Sequence, residues 1–357
     1  MGRRLAALAL LAALVLSGCG WMEESYVSVT PHQVELDQSS EGNARAVRNY
    51  TELRGALIGM IDSATEEGLF ALTEYPREEA LRDMERAVEY ALGTYPVGAY
   101  AVESIDYDFG TGLGASALSV DITYRRGREQ IEGIRTVRWI SGAKKEVEDA
   151  LDECADSLVL QVAGYQDADF NGIIRDYAER NPDRVMEVPG VTVRIFPDQG
   201  DTRVVELSFH YRTDRDELRA MREQVQPVFS SAALYVSGQA EEQTKFHQLH
   251  TFLTERFEYT IESTVTPAYS LLCQGIGDSR AFAQVYAAMC RRIGLEARIV
   301  SGTLNGENRW WNLVKIGDGW YHLDLLASVS FEPLTDEGMV GYDWDRAAYP
   351  ATEGAPE

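Results

Sequence analysis

The residues from Ala268 to Leu326 constrain the fold more than any other part of the chain. Within them, a polar turn at Gly277-Asp278 precedes a helical pattern from Ser279 to Ile293, and Gly294 ends that pattern. Apolar side chains recur at helical spacing along this segment, at Phe282, Val285, Tyr286, Met289 and Ile293. The sequence therefore predicts a helix with one buried face.

Two strand signals follow this predicted helix. Residues Ala297 to Thr303 are rich in strand-forming side chains and predict one strand. Residues Arg309 to Leu325 alternate in polarity around Gly317-Asp318-Gly319, which is typical of a β-hairpin. Helix, strand and hairpin together predict a compact α+β unit.

The order of these elements resembles the transglutaminase-like superfamily. The resemblance extends from about Glu241 to Pro350 and is carried by several motifs at once. These are AYSLL at Ala268, the Gly294-Leu295 helix end, and the strands RIVSG, WNLVKI and WYHLD. It implies a cysteine-protease-like core of one helix and an antiparallel sheet, with a catalytic Cys, His and Asp.

The same motifs show which residues occupy the three catalytic positions that the resemblance implies. Ser279, fifteen residues before Gly294, takes the place of the nucleophilic Cys. Arg309 takes the place of the His, and Asp324 is the expected Asp. A guanidinium stays protonated and has no lone pair, so it cannot act as a general base. We therefore expect a degenerate triad that forms a charge-assisted hydrogen-bond network and is inert towards acyl transfer.

Other polar residues offer alternative chemistry. Cys273 lies in a Cys-Gln-Gly sequence six residues before Ser279 and is an alternative nucleophile. The apolar residues around it, however, favour a buried and unreactive thiol. His322, two residues before Asp324, is the one imidazole within reach of the cleft, but it occupies no position that the resemblance gives to a base, so we do not expect it to act as one. His247 and His250 are three residues apart, and we interpret them as surface side chains because no further ligand has metal-site spacing. We expect no metal and no cofactor.

Aromatic residues around the predicted hairpin suggest a groove for a peptide or glycan. Its lining would include Trp310, Trp311 and Asn312. The predicted hairpin contains four aromatic residues, Trp310, Trp311, Trp320 and Tyr321. Because strand side chains alternate between two faces, at least two of these four are expected in the core.

The amino-terminal residues resemble a bacterial lipoprotein signal. Two arginines precede an apolar run and a Leu-Ser-Gly-Cys sequence that ends at Cys19. Residues 1–18 are thus predicted to be a signal peptide, Cys19 a lipid-bearing residue, and 19–46 a flexible tether without periodicity. An ordinary cleaved secretory signal with an incidental Cys is the alternative. The lipoprotein prediction places the protein on the extracytoplasmic side of a bacterial membrane.

The region between the tether and the transglutaminase-like segment contains the order helix, strand, helix, strand, strand twice. We predict two small α+β repeat domains at 47–130 and 140–216, a helical linker at 217–240 and the transglutaminase-like domain at 241–350. The pairs Tyr75 and Tyr165, and Tyr124 and Tyr211, are matching landmarks of the two repeats.

Charge narrows the choice of partners. The chain has 33 Lys and Arg residues against 57 Asp and Glu, and this net charge of −24 argues against binding nucleic acid. The favoured hypothesis is a non-catalytic lipoprotein that binds an envelope peptide, glycan or protein. A cysteine-dependent peptidase or acyltransferase acting on envelope peptides, and a purely structural spacer, are the alternatives.

Overall fold

The computed structural model describes residues 44–109, 117–327 and 330–352. The predicted signal peptide, Cys19 and nearly all of the predicted tether lie outside the described residues. Within the described ranges the protein is a mixed α+β molecule, as the sequence predicts. No helix in these ranges is both long and apolar enough to cross a membrane.

The chain divides into two compact units. The first contains the described residues up to 142 together with 160–165 and 196–204, and the second contains 143–159, 166–195 and the described residues from 205 onwards. The predicted domain boundaries stay predictions.

A four-stranded sheet and three helices form the first part of the described chain. Its elements are β1 (Arg45–Val47), α1 (Tyr50–Asp62), β2 (Glu67–Leu72), α2 (Arg77–Gly93), α3 (Pro96–Ala101), β3 (Val102–Phe109) and β4 (Ala117–Tyr124). The strand order is β1-β2-β4-β3. β1 is parallel to β2, whereas the β2–β4 and β3–β4 pairs are antiparallel.

The next part of the chain has a similar order of elements, with a short helix before its first strand and one helix where the first part has α2 and α3. It consists of α4 (Arg128–Glu132), β5 (Arg135–Val137), α5 (Ile140–Asp152), β6 (Ser157–Ala163), α6 (Phe170–Arg180), β7 (Gly190–Phe196) and β8 (Thr202–His210). Its strand order, β5-β6-β8-β7, corresponds position by position to that of the first sheet, and β5 is again parallel to its neighbour. The two segments therefore share a topology.

The remaining elements include the helix and hairpin with which the sequence analysis began. They are α7 (Arg215–Tyr235), α8 (Glu242–Thr254), β9 (Glu258–Tyr259), α9 (Pro267–Tyr269), β10 (Ile276–Gly277), α10 (Ser279–Arg292), β11 (Ala297–Leu304), β12 (Glu307–Ile316), β13 (Gly319–Leu323) and β14 (Tyr342–Asp343). The main sheet has the order β13-β12-β11-β14, with antiparallel pairing throughout. The predicted helix, strand and hairpin are all present.

Helix α10 is the centre of the core in this second unit. Every residue from Ala281 to Cys290 is buried, so the helix is covered on all sides rather than on one face. Its apolar side chains pack against Phe229 of α7 and Phe246 and Leu253 of α8. The segment that we predicted as a helical linker thus contributes its apolar face to this core through α7.

The sheet carries a second, smaller apolar cluster that includes Trp311. Val300, Leu313 and Met339 complete its buried part, and Tyr342 and Trp344 pack against it. β11 approaches β14 closely at Gly302, where a Cβ would collide with the carbonyl oxygen of Asp343. The segment after the hairpin therefore rests on the sheet as a cap.

Candidate functional site

Ser279 lies at the first position of α10, where the family places its nucleophile. The helix is capped by Asp278, whose Oδ1 accepts a hydrogen bond from the backbone N–H of Ala281 at 2.8 Å. The Ser279 hydroxyl oxygen accepts from the backbone N–H of Trp310 at 3.3 Å. In the part of the chain that the structure describes, no side-chain base hydrogen-bonds to this hydroxyl, so nothing is placed to take its proton.

Arg309 and Asp324 form a buried bidentate ion pair. Arg309 Nε donates to Asp324 Oδ2 at 2.7 Å, and its second terminal nitrogen donates to Oδ1 at 2.9 Å. The two side chains are 11% and 4% exposed. Paired and shielded in this way, the guanidinium at the predicted His position offers no acceptor for a proton.

Two further donors complete the hydrogen bonding of Asp324. The Tyr342 hydroxyl donates to Oδ2 at 2.7 Å and the backbone N–H of Leu326 donates to Oδ1 at 2.9 Å. Burial opposes the charge on Arg309, but the hydrogen bonds and charge of Asp324 outweigh it and raise the pKa of Arg309. Burial and the same carboxylate raise the pKa of Tyr342. At neutral pH Arg309 is therefore a cation and Tyr342 a neutral phenol, and the network contains no imidazole.

His322 belongs to a structural network rather than to the cleft. Its Nδ1 accepts from Trp311 Nε1 at 2.9 Å, which leaves Nε2 to donate to Asp336 Oδ1 at 3.0 Å. Burial lowers the pKa of His322 despite the neighbouring Asp336. Both of its nitrogens are occupied inside the fold, so this imidazole is not available as a base in the cleft.

Cys273 is exposed, contrary to our expectation of a buried thiol. It lies in a π-helical segment, Ser270–Gln274, that ends at Gly275 in the left-handed region with φ of 87°. Leu271 and Leu272, its apolar neighbours in sequence, point into the core, and the Cys273 side chain itself stays exposed. Partial desolvation raises the pKa of the Cys273 thiol, which disfavours the reactive thiolate.

The two histidines of α8 differ from each other. His247 is exposed, as predicted, but His250 is only 1% exposed and its Nε2 has no hydrogen-bond partner in the described chain. The prediction of a surface position is wrong for His250 because it faces the core beside Phe331. Among the described residues, no three His, Cys, Asp or Glu side chains form a group that could hold a metal ion.

The predicted lining of the cleft is mostly core. Trp311 and Asn312 are 0% exposed, and the Asn312 side-chain amide donates to the carbonyl oxygen of Ala283 at 2.9 Å. Of the three, Trp310 alone is partly exposed, and the Arg280 guanidinium lies 5.1 Å from its ring centre. The alternation argument correctly predicts that two of the four hairpin aromatics, Trp311 and Tyr321, are buried.

A cavity that the sequence analysis missed lies within the second compact unit. Its volume is about 510 Å³. Its lining comes from three stretches that are far apart in sequence, at 178–190, 210–212 and 264–284. In the sequence, Gln284 could have indicated this cavity, because it is the one amide side chain between Ala281 and Cys290 in an otherwise apolar helix.

Comparison with known proteins identifies the domain around Ser279. Residues 230–325 match the family model of the transglutaminase-like superfamily, so the chain contains a transglutaminase-like domain, as its resemblance predicted. A search of the curated proteins finds no match.

Two solved structures show limited similarity. One is a TGase, with 11% identity, a TM-score of 0.28 and coverage of 49% of this chain and 52% of that one. The other is a candidate cysteine protease from Cytophaga hutchinsonii, with 17% identity, a TM-score of 0.27 and coverage of 41% and 66%. This chain thus spans between about half and two thirds of their lengths, and likeness at this level gives no argument about its own activity.

Proposed function

We propose that the protein is a membrane-anchored lipoprotein whose transglutaminase-like domain does not catalyse acyl transfer and acts as a binding or scaffolding module at the cell envelope. The observation that carries this proposal is the bidentate pair between Arg309 and Asp324. A thiol or hydroxyl nucleophile needs a neighbouring base, and here the predicted base position holds a cation that is paired with Asp324 and has no lone pair to accept a proton.

The alternative, a cysteine-dependent peptidase or acyltransferase, would depend on Cys273. Exposure of this thiol favours the alternative, but its raised pKa opposes it. No imidazole hydrogen-bonds to Cys273 among the described residues. The proposal of an inert domain is therefore better supported than the alternative.

Restoring the family's catalytic residues tests the proposal. In a Cys273→Ala background, Ser279→Cys combined with Arg309→His places a thiol and an imidazole beside the existing Asp324. We expect this variant to be alkylated by iodoacetamide at pH 7 faster than Ser279→Cys alone, because an adjacent imidazole favours the thiolate.

The unmodified chain is the reference in the same experiment. It should release no product from acyl-donor peptides. Turnover by the unmodified chain that disappears in Cys273→Ala would establish the peptidase alternative, and turnover that survives Cys273→Ala would show that another base serves Ser279. Equal alkylation of the single and combined variants would contradict the assignment of position 309.

Anchoring through Cys19 needs a separate test because that residue lies outside the described ranges. The support for it is the arginine, apolar and Leu-Ser-Gly-Cys order of the first nineteen residues. When the chain is expressed in a bacterium with labelled palmitate, we expect label in the wild type and none in Cys19→Ala. Two results would refute lipid anchoring through Cys19. One is label retained by the variant, and the other is a wild-type protein that carries no label and is found in the soluble fraction.

A further inference from the structure

Strand β7 lies at an open edge of its sheet. In the order β5-β6-β8-β7 its single neighbour is β8, and no other backbone hydrogen bond in the described chain involves its residues. None of its seven residues, Gly190–Phe196, is buried. One row of its backbone N–H and C=O groups is therefore left unpaired by the described residues, and such a row is a template for another strand.

The other edge strands of the described sheets are protected against such pairing. β1 and β5 have three residues each, and β14 has two. β13 has five residues, and its His322 already pairs with Leu334. β3 is longer, but it carries the exposed acids Glu103, Asp106 and Asp108 and a register shift against β4. Short length, charge and bulges keep edges apart, and β7 is not protected by short length or by acidic residues.

The residues of β7 favour pairing with a further strand. Its sequence, GVTVRIF, consists mostly of β-branched and aromatic side chains. Its one charged residue, Arg194, is exposed and lies 3.6 Å from Glu206 of β8. In a chain with a net charge of −24, a strand without a carboxylate limits the local repulsion between two copies.

The strand is complementary to itself in an antiparallel pair. Centring the pair on Val193 is the register that aligns all seven residues of both copies. It places Val191 opposite Ile195 on one face and Thr192 opposite Arg194 on the other. Apolar side chains then meet apolar ones, and no two like charges are directly opposed. Centring the pair on Arg194 would instead oppose two guanidinium groups.

We propose that the protein forms a two-fold symmetric dimer in which β7 of one copy pairs antiparallel with β7 of a second copy. The pairing joins the two four-stranded sheets edge to edge into one continuous sheet. Two-fold dimers are the commonest homo-oligomers, and they use the same self-complementary patch on both subunits. This surface involves none of the residues Ser279, Arg309 and Asp324, so it goes beyond the proposed role of the transglutaminase-like domain.

Sedimentation equilibrium of the full chain measures the dimerisation directly. All samples carry Cys19→Ala, so that a shared lipid phase cannot hold two copies together. We expect the weight-average mass to rise with concentration from that of one chain towards that of two. Because both copies are acidic, raising NaCl from about 10 to about 150 mM should strengthen the dimer. A mass that stays at one chain up to about 0.1 mM would overturn the proposal.

Two substitutions at one position test the register. Thr192 is exposed, and in the proposed pair it lies opposite the partner's Arg194. Thr192→Glu should strengthen the dimer by about fivefold and Thr192→Lys should weaken it by about the same factor, since each contact occurs twice. Both variants lose the same exposed hydrogen bond to His210, so it cancels in their comparison. Net charge alone predicts the opposite order, because Glu adds to the excess negative charge and Lys reduces it.

Thr123→Glu and Thr123→Lys are matched controls at an exposed position of β4. They should change the dimerisation constant little, and in the order that net charge predicts. In the wild type, hydrogen exchange of residues 190–196 should slow as the protein concentration rises, a result that needs no variant.

Equal effects at positions 192 and 123, a stronger dimer in Thr192→Lys, or exchange in β7 that does not depend on concentration would each contradict the proposal. None of these measurements involves acyl transfer. The dimer can therefore fail while the proposal of an inert domain stands, and the reverse.

Discussion

Asp324 retains the surroundings of an orienting carboxylate, although its partner is a guanidinium. Each of its two oxygens accepts two hydrogen bonds, from Arg309, Tyr342 and the backbone of Leu326. This arrangement uses all four acceptor positions of a carboxylate. Asp324 therefore has its hydrogen bonds satisfied although the predicted His position holds Arg309.

Removing the guanidinium should destabilise the fold strongly. Arg309→Ala leaves Asp324 buried with a lost charge partner, and we expect the free energy of unfolding to fall by about 3–5 kcal/mol. Lys315→Ala is the control on the same strand, because its pair with Glu296 is more exposed and is expected to contribute below about 1 kcal/mol. Urea unfolding of both variants measures the difference. Equal losses would show that burial of the Arg309 pair has no special energetic role.

His250 predicts a pH dependence of stability. Burial, with a smaller contribution from His247, lowers the pKa of His250 to about 4 in the folded protein, against about 6.5 in an unfolded chain. The unfolded state therefore binds more protons between these values, and stability falls as the pH decreases from about 6.5 to 4, by about 2 kcal/mol.

Substitution of the two histidines separates this effect from carboxylate titration. In urea unfolding from pH 7 to pH 4.5, His250→Phe should lose less stability than the wild type. His247→Gln should reduce the pH dependence only slightly, because His247 makes the smaller contribution to the lowered pKa of His250. Parallel pH profiles for wild type and His250→Phe would contradict the lowered pKa.

At the scale of elements, much of the fold could be predicted from periodicity. The helix predicted from Ser279 is α10, and the predicted hairpin is the β12–β13 pair. The three-residue strands β1 and β5 were not predicted, because such short segments carry no periodic signal and pair with strands far along the chain. Helix α3 was not predicted either, although Pro96 at its first turn favours a helical start.

Because the cap packs closely on the sheet at Gly302, we expect substitution of this glycine to destabilise the fold. Gly302→Ala puts a Cβ against the Asp343 carbonyl and within 2.8 Å of Trp311, so we expect a loss of about 1–3 kcal/mol and faster hydrogen exchange in β14. Gly55→Ala in α1 is the control. Nothing lies within 4 Å of its new Cβ, and helix propensity should stabilise it by up to about 1 kcal/mol. Wild-type exchange in Gly302→Ala would show that β14 does not depend on this close approach.

The candidate sites differ in how far the sequence predicts them. Ser279, Arg309 and Asp324 were assigned from local motifs. Of the predicted three-residue network, the structure contains the Arg309–Asp324 pair, whereas the Ser279 hydroxyl bonds to the backbone of Trp310 instead. The cavity around Gln284 could not, because its wall is assembled from segments about a hundred residues apart whose relative positions depend on tertiary packing. The exposure of Cys273 and the burial of His250 depend on tertiary packing in the same way.

At the scale of the whole molecule, net charge is the dominant property. An excess of 24 negative charges repels itself in the compact state, and salt screens that repulsion. Raising NaCl from about 10 to about 150 mM at pH 7 should raise Tm by about 2–4 °C. The same salt change near pH 4.6, the isoelectric point, should have little effect. A Tm at pH 7 that does not respond to salt would show that repulsion among these charges does not measurably destabilise the folded protein.

The cap that follows the hairpin has a consequence for the modularity of this domain. The family match ends at residue 325, yet the Tyr342 hydroxyl and the Asp336 carboxylate, which bind Asp324 and His322, come from beyond it. Trp344 packs on Trp311 from the same segment. A domain transplanted into another protein with the family's boundaries would thus leave behind part of its own interior, and its portable unit extends at least to Trp344.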